Sequence, residues 1–196
     1  MKTLAITSLV LFASVMMAFT LSVNEYRVDT KQSSVNWIGR KVIGEHSGNI
    51  KISDGKFITD GKKITGGVFS IDMTSIKCTD LKDKETNAKL VGHLNSEDFF
   101  STAAHPKATL EVKEVTSTGT DTYSVKGDLT IKGITKPIEF PATIKILDNK
   151  INATAKILVD RTQYEIKYGS GSFFDGLGDK AINNTFELNV SLVASK

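Results

Sequence analysis

The sequence predicts a mainly β protein: a single antiparallel β-barrel of about eight strands with a short helical insertion. Three observations carry this. Apolar and polar residues alternate with period two over most of the chain, short turn sequences separate the alternating runs, and one stretch in the middle loses the alternation altogether. Many strands with one wet face fit an antiparallel barrel or sandwich, since parallel sheets are covered on both faces.

The elements follow in chain order. Met1 and Lys2 open a leader in which Lys2 is the only charge before Glu25. The run Leu4 to Leu21 approaches the roughly 18 apolar residues that span a bilayer, but Thr7, Ser8, Ser14 and Thr20 dilute it. Ala18, Thr20 and Ser22 offer small residues for cleavage, so residues 1–22 are expected to be a cleaved signal peptide and residues 23–196 the folded domain. The mature protein is then expected in the periplasm or outside the cell, with no stable membrane span.

In the domain, Phe69, Ile71 and Met73 alternate with Ser70 and Asp72, as a strand with one dry face requires. From Ser75 to Phe100 alternation fades; Asp83 to Leu94 reads as a short helix, and Ser96 to Phe100 as a capped turn that tucks two aromatics down. Ala108, Leu110 and Val112 then alternate with Thr109, Glu111 and Lys113, and Ser117 to Thr120 forms a turn. From Tyr123 to Lys132 every even position is polar, while Tyr123, Val125, Gly127, Leu129 and Ile131 form the dry face. Gly133 to Pro137 turns the chain. Ile138, Phe140, Ala142, Ile144 and Ile146 follow, then a turn at Asp148 to Lys150, then Ile151, Ala153, Ala155, Ile157 and Val159. Phe186, Leu188, Val190 and Leu192 make the last dry face. No linker, composition shift or internal repeat divides the chain, so one domain is expected.

Composition excludes several function classes. Lys and Arg total 25 against 22 Asp and Glu, a net charge of +3, and the lysines are spread along solvent faces rather than clustered as a nucleic-acid footprint requires. Cys78 is the only cysteine, which forbids an internal disulfide and a cysteine-based zinc site and leaves open a disulfide-linked homodimer. It reads as a small, semi-buried apolar residue. His46, His93 and His105 are too dispersed for a metal-ligand pair. The loops at Gly169–Ser172 and Asp175–Asp179 complete no nucleotide or nucleophile-elbow motif and read as mobile loops at a barrel mouth. Asp160 and Arg161 close a strand and are expected to pair with each other. No cofactor motif is present.

What remains is the dry face, whose mid-strand residues include Ala108, Gly127, Ala142, Ala153 and Ala155. Small inward residues leave volume for one apolar ligand, unless Phe57, Phe69, Phe140 and Phe186 cross the axis and fill it. At about 25 cal/mol per Å² of buried apolar surface, a long hydrocarbon chain needs no polar anchor to bind such a cavity. Two rival readings stand beside the container. An enzyme acting on a lipid or quinone would need an ionisable group inside, with Tyr123 the nearest candidate, and a filled barrel would serve as a structural or stress-related interaction module.

The domain from about Tyr26 to Ala194 also resembles the YceI-like, or polyisoprenoid-binding, family. The resemblance begins with Tyr26-x-Val28-Asp29, Ser34-Val35-x-Trp37 and His46-x-Gly48. It continues through Gly67-x-Phe69-Ser70-Ile71, Ser75-Ile76 and His93-Leu94-x-Ser96-x-Asp98-Phe99-Phe100. Its most specific segment is Gly127-x-Leu129-Thr130-Ile131-x-Gly133-Ile134-Thr135-Lys136-Pro137. The resemblance implies a lipocalin-like barrel with a long apolar tunnel and a non-catalytic binder of isoprenoid chains, isoprenoid quinones or fatty-acid derivatives. The implied lining is Trp37, Phe69 and Ile71; Ala108, Leu110 and Val112; Val125, Leu129 and Ile131; Phe140, Ala142 and Ile144; and Ala155, Ile157, Phe186 and Leu188. Two departures, Arg161-Thr162-Gln163-Tyr164-Glu165 where the family often has an aromatic and glycine after the Arg that follows the late strand, and His105 where Tyr is common before Pro106, leave headgroup preference unassigned.

Overall fold

A computed structural model describes residues 23–196 apart from Lys62; the expected signal peptide, residues 1–22, lies outside the described residues. In order, the elements are β1 (Asn24–Val28), β2 (Ser34–Lys41), β3 (Glu45–Thr59), β4 (Ile64–Cys78), α1 (Lys84–Asn95), β5 (Lys107–Ser117), β6 (Thr122–Ile131), β7 (Ile134–Leu147), β8 (Lys150–Asp160) and β9 (Ile182–Ser195). All pairings are antiparallel, and the strands are joined in the order β3-β2-β9-β8-β7-β6-β5-β4, with β4 returning to β3. Nine strands therefore make an eight-position barrel. β1 and β2 share one position, because both lie between β3 and β9, β1 pairing Arg27 with Ser195 and β2 pairing Ser34 with Ser191. Closure leaves no long free edge.

The predicted dry faces of β6 to β9 point inward with little change. Val125, Phe140, Ala142, Ile144, Ala153, Ile157 and Val159 are all buried. Three expectations are corrected. The Gly133 to Pro137 turn shrinks to Lys132 and Gly133, both at positive φ, and Asp128 already pairs with Pro137, so Thr135 to Pro137 belong to β7. The dry face of β7 stops at Ile144, since Ile146 lies at the barrel's rim and is 39% exposed. Finally, Ser75 to Cys78 continues β4 rather than beginning the irregular stretch.

That last correction has a local cause. Asn49 pairs with Lys77 but Lys51 pairs with Asp72, so β4 carries extra residues across from a single residue of β3. The Ser75 hydroxyl fills the gap, donating to the Asp72 carbonyl (2.6 Å) and accepting from the Lys51 N–H (2.8 Å). A bulge shifts the two-residue phase. Inward positions on β4 therefore change from Phe69 and Met73 to Ile76 and Cys78, and on β3 from Ile50 and Ile52 to Phe57.

The β3–β4, β5–β6 and β7–β8 hairpin turns lie at one end of the barrel. There Ile151 and Ala194 are fully buried, and the Tyr26 hydroxyl donates to the Asp148 carbonyl (3.1 Å). The other end carries α1 and the long β8–β9 connection, residues 161–181.

Candidate functional site

The barrel holds a cavity of about 230 Å³. A single water needs only roughly 10–15 Å³, so the four phenylalanines do not fill the axis. Phe57 and Phe69 instead stack edge-on at 5.0 Å, and Phe186 meets Phe100 edge-on at 6.0 Å. Ala142 sits opposite Ala155, and Ala153 opposite Ile144, so neighbouring strands keep the middle of the cavity wide.

Every residue that the sequence placed on the lining faces this cavity. Trp37 comes from β2, Phe69 and Ile71 from β4, and Ala108, Leu110 and Val112 from β5. Val125, Leu129 and Ile131 come from β6, Phe140, Ala142 and Ile144 from β7, Ala155 and Ile157 from β8, and Phe186 and Leu188 from β9. Gly127 does not line it. A Cβ there would lie 2.5 Å from the Glu111 carbonyl, so this glycine permits close approach of β5 rather than leaving room for a ligand. Tyr123, the nearest candidate for a catalytic group, does not line the cavity either; it pairs with Ala142 nearer the hairpin end.

The structure adds lining residues that alternation did not reveal. Ile50, Ile52 and Ile76 come from the bulged strands, and Leu94, Phe99 and Phe100 from α1 and the turn after it. The two aromatics do tuck down: Phe99 is buried and contacts both His93 (4.9 Å between centroids) and Tyr168 (5.6 Å). His93 meets Tyr168 edge-on at 4.4 Å, joining α1 to the β8–β9 connection over this end of the barrel. No helix among the described residues is long and apolar enough to cross a membrane.

One charged side chain on the lining is buried. Arg161 continues the inward row Ala153, Ala155, Ile157, Val159 one step past β8 and is 3% exposed. The expected pair with Asp160 does not form. Asp160 instead caps the short helical turn that follows, accepting from the Thr162 N–H (2.9 Å) and hydroxyl (2.6 Å). Arg161 donates to four backbone carbonyls: from Nε to Asn183 (3.0 Å), from Nη1 to Ile166 (2.7 Å) and Tyr168 (2.9 Å), and from Nη2 to Ile182 (3.0 Å). Burial pushes its pKa down, against the through-space pull of Asp160. Arg40, also on the lining, turns its guanidinium to Glu45 and Glu187.

A second polar cluster lies at the same end. Asp80 accepts from the Ser47 N–H (2.9 Å) and the Cys78 thiol (3.1 Å) and contacts His46 Nδ1 (2.8 Å). Partial burial pushes the Asp80 carboxyl up, but these hydrogen bonds outweigh it and hold its pKa down at about 2. Burial pushes the Cys78 thiol up, so it is a poor nucleophile.

Known proteins resemble the chain in the same terms. The YceI-like domain family matches residues 26–194. A UPF0312 protein of Pseudomonas putida is 32% identical over 125 residues, which span 61% of each chain. One from Shewanella denitrificans is 30% identical over 136 residues, 66% of this chain and 67% of its own. Among solved structures, Burkholderia cenocepacia BcnA superimposes with a TM-score of 0.68 at 23% identity, covering 86% of this chain and 99% of its own. A domain from Saccharophagus degradans, described as a polyisoprenoid binding domain implicated in plant cell wall breakdown, gives 0.65 at 17% identity over 87% and 97%. These two likenesses establish the barrel.

Proposed function

This chain belongs to the YceI-like domain family, and we propose that it is an exported, non-catalytic carrier that holds a long-chain isoprenoid, isoprenoid quinone or similar lipid in its barrel. The observation that carries this reading is the cavity inside the barrel, lined by apolar side chains from eight barrel positions and the cap. The polyisoprenoid-binding description of the Saccharophagus domain supports the same ligand class.

The physics favours sequestration over turnover. A chain buried here gains about 25 cal/mol per Å² of apolar surface without any anchor, whereas general acid–base chemistry needs a titratable group within hydrogen-bond reach of the reacting atom. The apolar lining is suited to the former. Export rests on the Met1–Ser22 leader, with the periplasm or the cell exterior as its destination.

Native mass spectrometry of the protein purified from its own host, followed by solvent extraction, tests the proposal. A stoichiometric long-chain lipid is expected. Protein that is repeatedly empty, and that takes up no lipid when offered, would overturn it.

A further inference from the structure

We propose that the end of the barrel carrying α1 docks on a phospholipid bilayer, two apolar loop tips inserting beside an entrance at Gly39 through which the cavity exchanges its lipid. The proposal rests on the lipid-carrier reading and adds the surface from which the cargo comes.

The β2–β3 hairpin turns at Val42, Ile43 and Gly44, where the Lys41 N–H donates to the Gly44 carbonyl (3.0 Å). Tight turns favour Gly, Asn, Asp, Pro and Ser. Here only Gly44, at positive φ, is of that kind, and Val42 and Ile43 are left 61% and 65% exposed. Phe173 and Phe174, in the β8–β9 connection, are 48% and 50% exposed. Their N–H groups both donate to the Ser170 carbonyl (3.1 and 3.0 Å), and the buried Ser170 hydroxyl donates to Asn184 (2.6 Å). The backbone is thus fixed while both rings face solvent. The two tips are also tied together: the Val42 N–H donates to the Ala181 carbonyl (3.1 Å), and the Ile182 N–H to the Gly169 carbonyl (2.7 Å). At the opposite end the turns at residues 60–63, 118–121 and 148–149 carry no apolar side chain.

The cavity leads towards these tips. Gly39 continues the inward row of Val35 and Trp37 and lines the cavity, and a Cβ there would meet no atom within 4 Å. Gly39 pairs with Phe186 but Lys41 with Ile182, so two steps on β2 span four on β9. Asn183 and Thr185, both exposed, line the cavity at this irregular seam. The seam therefore connects the cavity to solvent, three residues before Val42.

Chemistry selects the occupant. Four side chains on two tips fall far short of the roughly 800 Å² that each partner buries in a stable protein interface, whereas bilayer binding scales with the apolar area inserted. The surrounding charges balance: Arg40 and Lys41 stand against Glu45 on the hairpin, and Lys167 and Lys180 against Glu165, Asp175 and Asp179 on the connection. Such a surface meets zwitterionic lipid without repulsion and gains little from anionic lipid. An entrance held against the bilayer also spares the hydrocarbon tail a passage through water.

Flotation with phosphatidylcholine vesicles, alone and with added phosphatidylglycerol, tests the docking. Wild type is expected to float with both to similar extents. The double variants Val42→Ser/Ile43→Ser and Phe173→Ser/Phe174→Ser should each lose about tenfold or more in vesicle affinity. Leu147→Ser, which removes an exposed apolar residue at the opposite end, should not. The substituted side chains are exposed, so the fold is expected to survive their loss. Trp37 is the only tryptophan and lines the cavity, so energy transfer from it to the fluorescent fatty acid parinaric acid reads loading. Loading from vesicles should slow in step with lost vesicle binding, and should slow in Gly39→Leu as well. Wild type that does not float, that floats only with phosphatidylglycerol, or that is matched by both double variants would overturn the docking and leave the carrier reading standing. Gly39→Leu loading as fast as wild type would overturn the entrance. Wild type that floats but takes up no parinaric acid, from vesicles or from solution, would overturn the carrier reading and the entrance with it.

Discussion

At the scale of single residues, two sites at the covered end decide how the barrel closes. Asp80 ties Ser47, at the start of β3, to Cys78, at the end of β4, and reaches His46 as well. Its pKa of about 2 lies below the ordinary aspartate value of about 3.9. The folded state therefore prefers the charged form. The stabilisation is complete above the unfolded-state value and is lost as pH falls from there through 2. Chemical denaturation across that acid window should show wild type losing stability more steeply than Asp80→Asn; parallel curves would show that Asp80 is not linked to folding. Close beside it, Gly48 has no room for a side chain. A Cβ would meet the Lys77 carbonyl at 1.7 Å and the Trp37 ring at 2.6 Å, and the Trp37 indole N–H donates to that same carbonyl (3.1 Å). Gly48→Ala is expected to cost about 1–3 kcal/mol, as overpacking of a tight site does, and to shift Trp37 emission. Urea titration followed by tryptophan fluorescence measures both.

At the scale of elements, α1 shows how a helix persists on a face that is only half-buried, where Leu90, Val91 and Leu94 pack against the core. None of its residues is buried. Asp83 caps it by accepting from the Thr86 N–H (2.9 Å), Glu85 and Lys89 pair one turn apart (2.7 Å), and Asn87 donates to the Cys78 and Leu81 carbonyls (both 3.0 Å). Asp83→Ala should cost about 1 kcal/mol of local stability, read as faster amide exchange in α1 while β6 to β9 keep their protection; uniform acceleration would mean that the helix and barrel unfold as one unit. The helix was legible because alternation stopped there. The regular strands β6 to β9 were legible because one uninterrupted phase runs through each. β4 was legible only from Phe69 to Met73 and β3 not at all, since their bulges shift the phase mid-strand and no residue type announces where. The same blindness affected Arg161: the inward row of β8 continues one step into it, but sequence adjacency to Asp160 suggested an ion pair. Only the fold brings Ile166, Tyr168, Ile182 and Asn183 around that guanidinium.

At the scale of the whole molecule, closure and small side chains together make the cavity. Eight strand positions bring the inner faces close enough that ordinary core residues could fill the space, or leave room for one ligand. The balance is set by alanines on adjacent strands: Ala142 pairs with Ala155, and Ala153 lies one step along from them. A phenylalanine at either member of the first pair would project into open space rather than into packed neighbours, so its steric cost should be small and its added burial favourable. Ala155→Phe and Ala142→Phe are therefore expected to unfold at or above the temperature of ligand-free wild type while losing the lipid that wild type carries. Native mass spectrometry on each variant, beside thermal unfolding of delipidated wild type, separates the two effects. Full lipid occupancy in both folded variants would place the ligand elsewhere on the barrel. Occupancy lost with stability retained would show that the volume left by these alanines is maintained for a guest, at the expense of a more stable filled core.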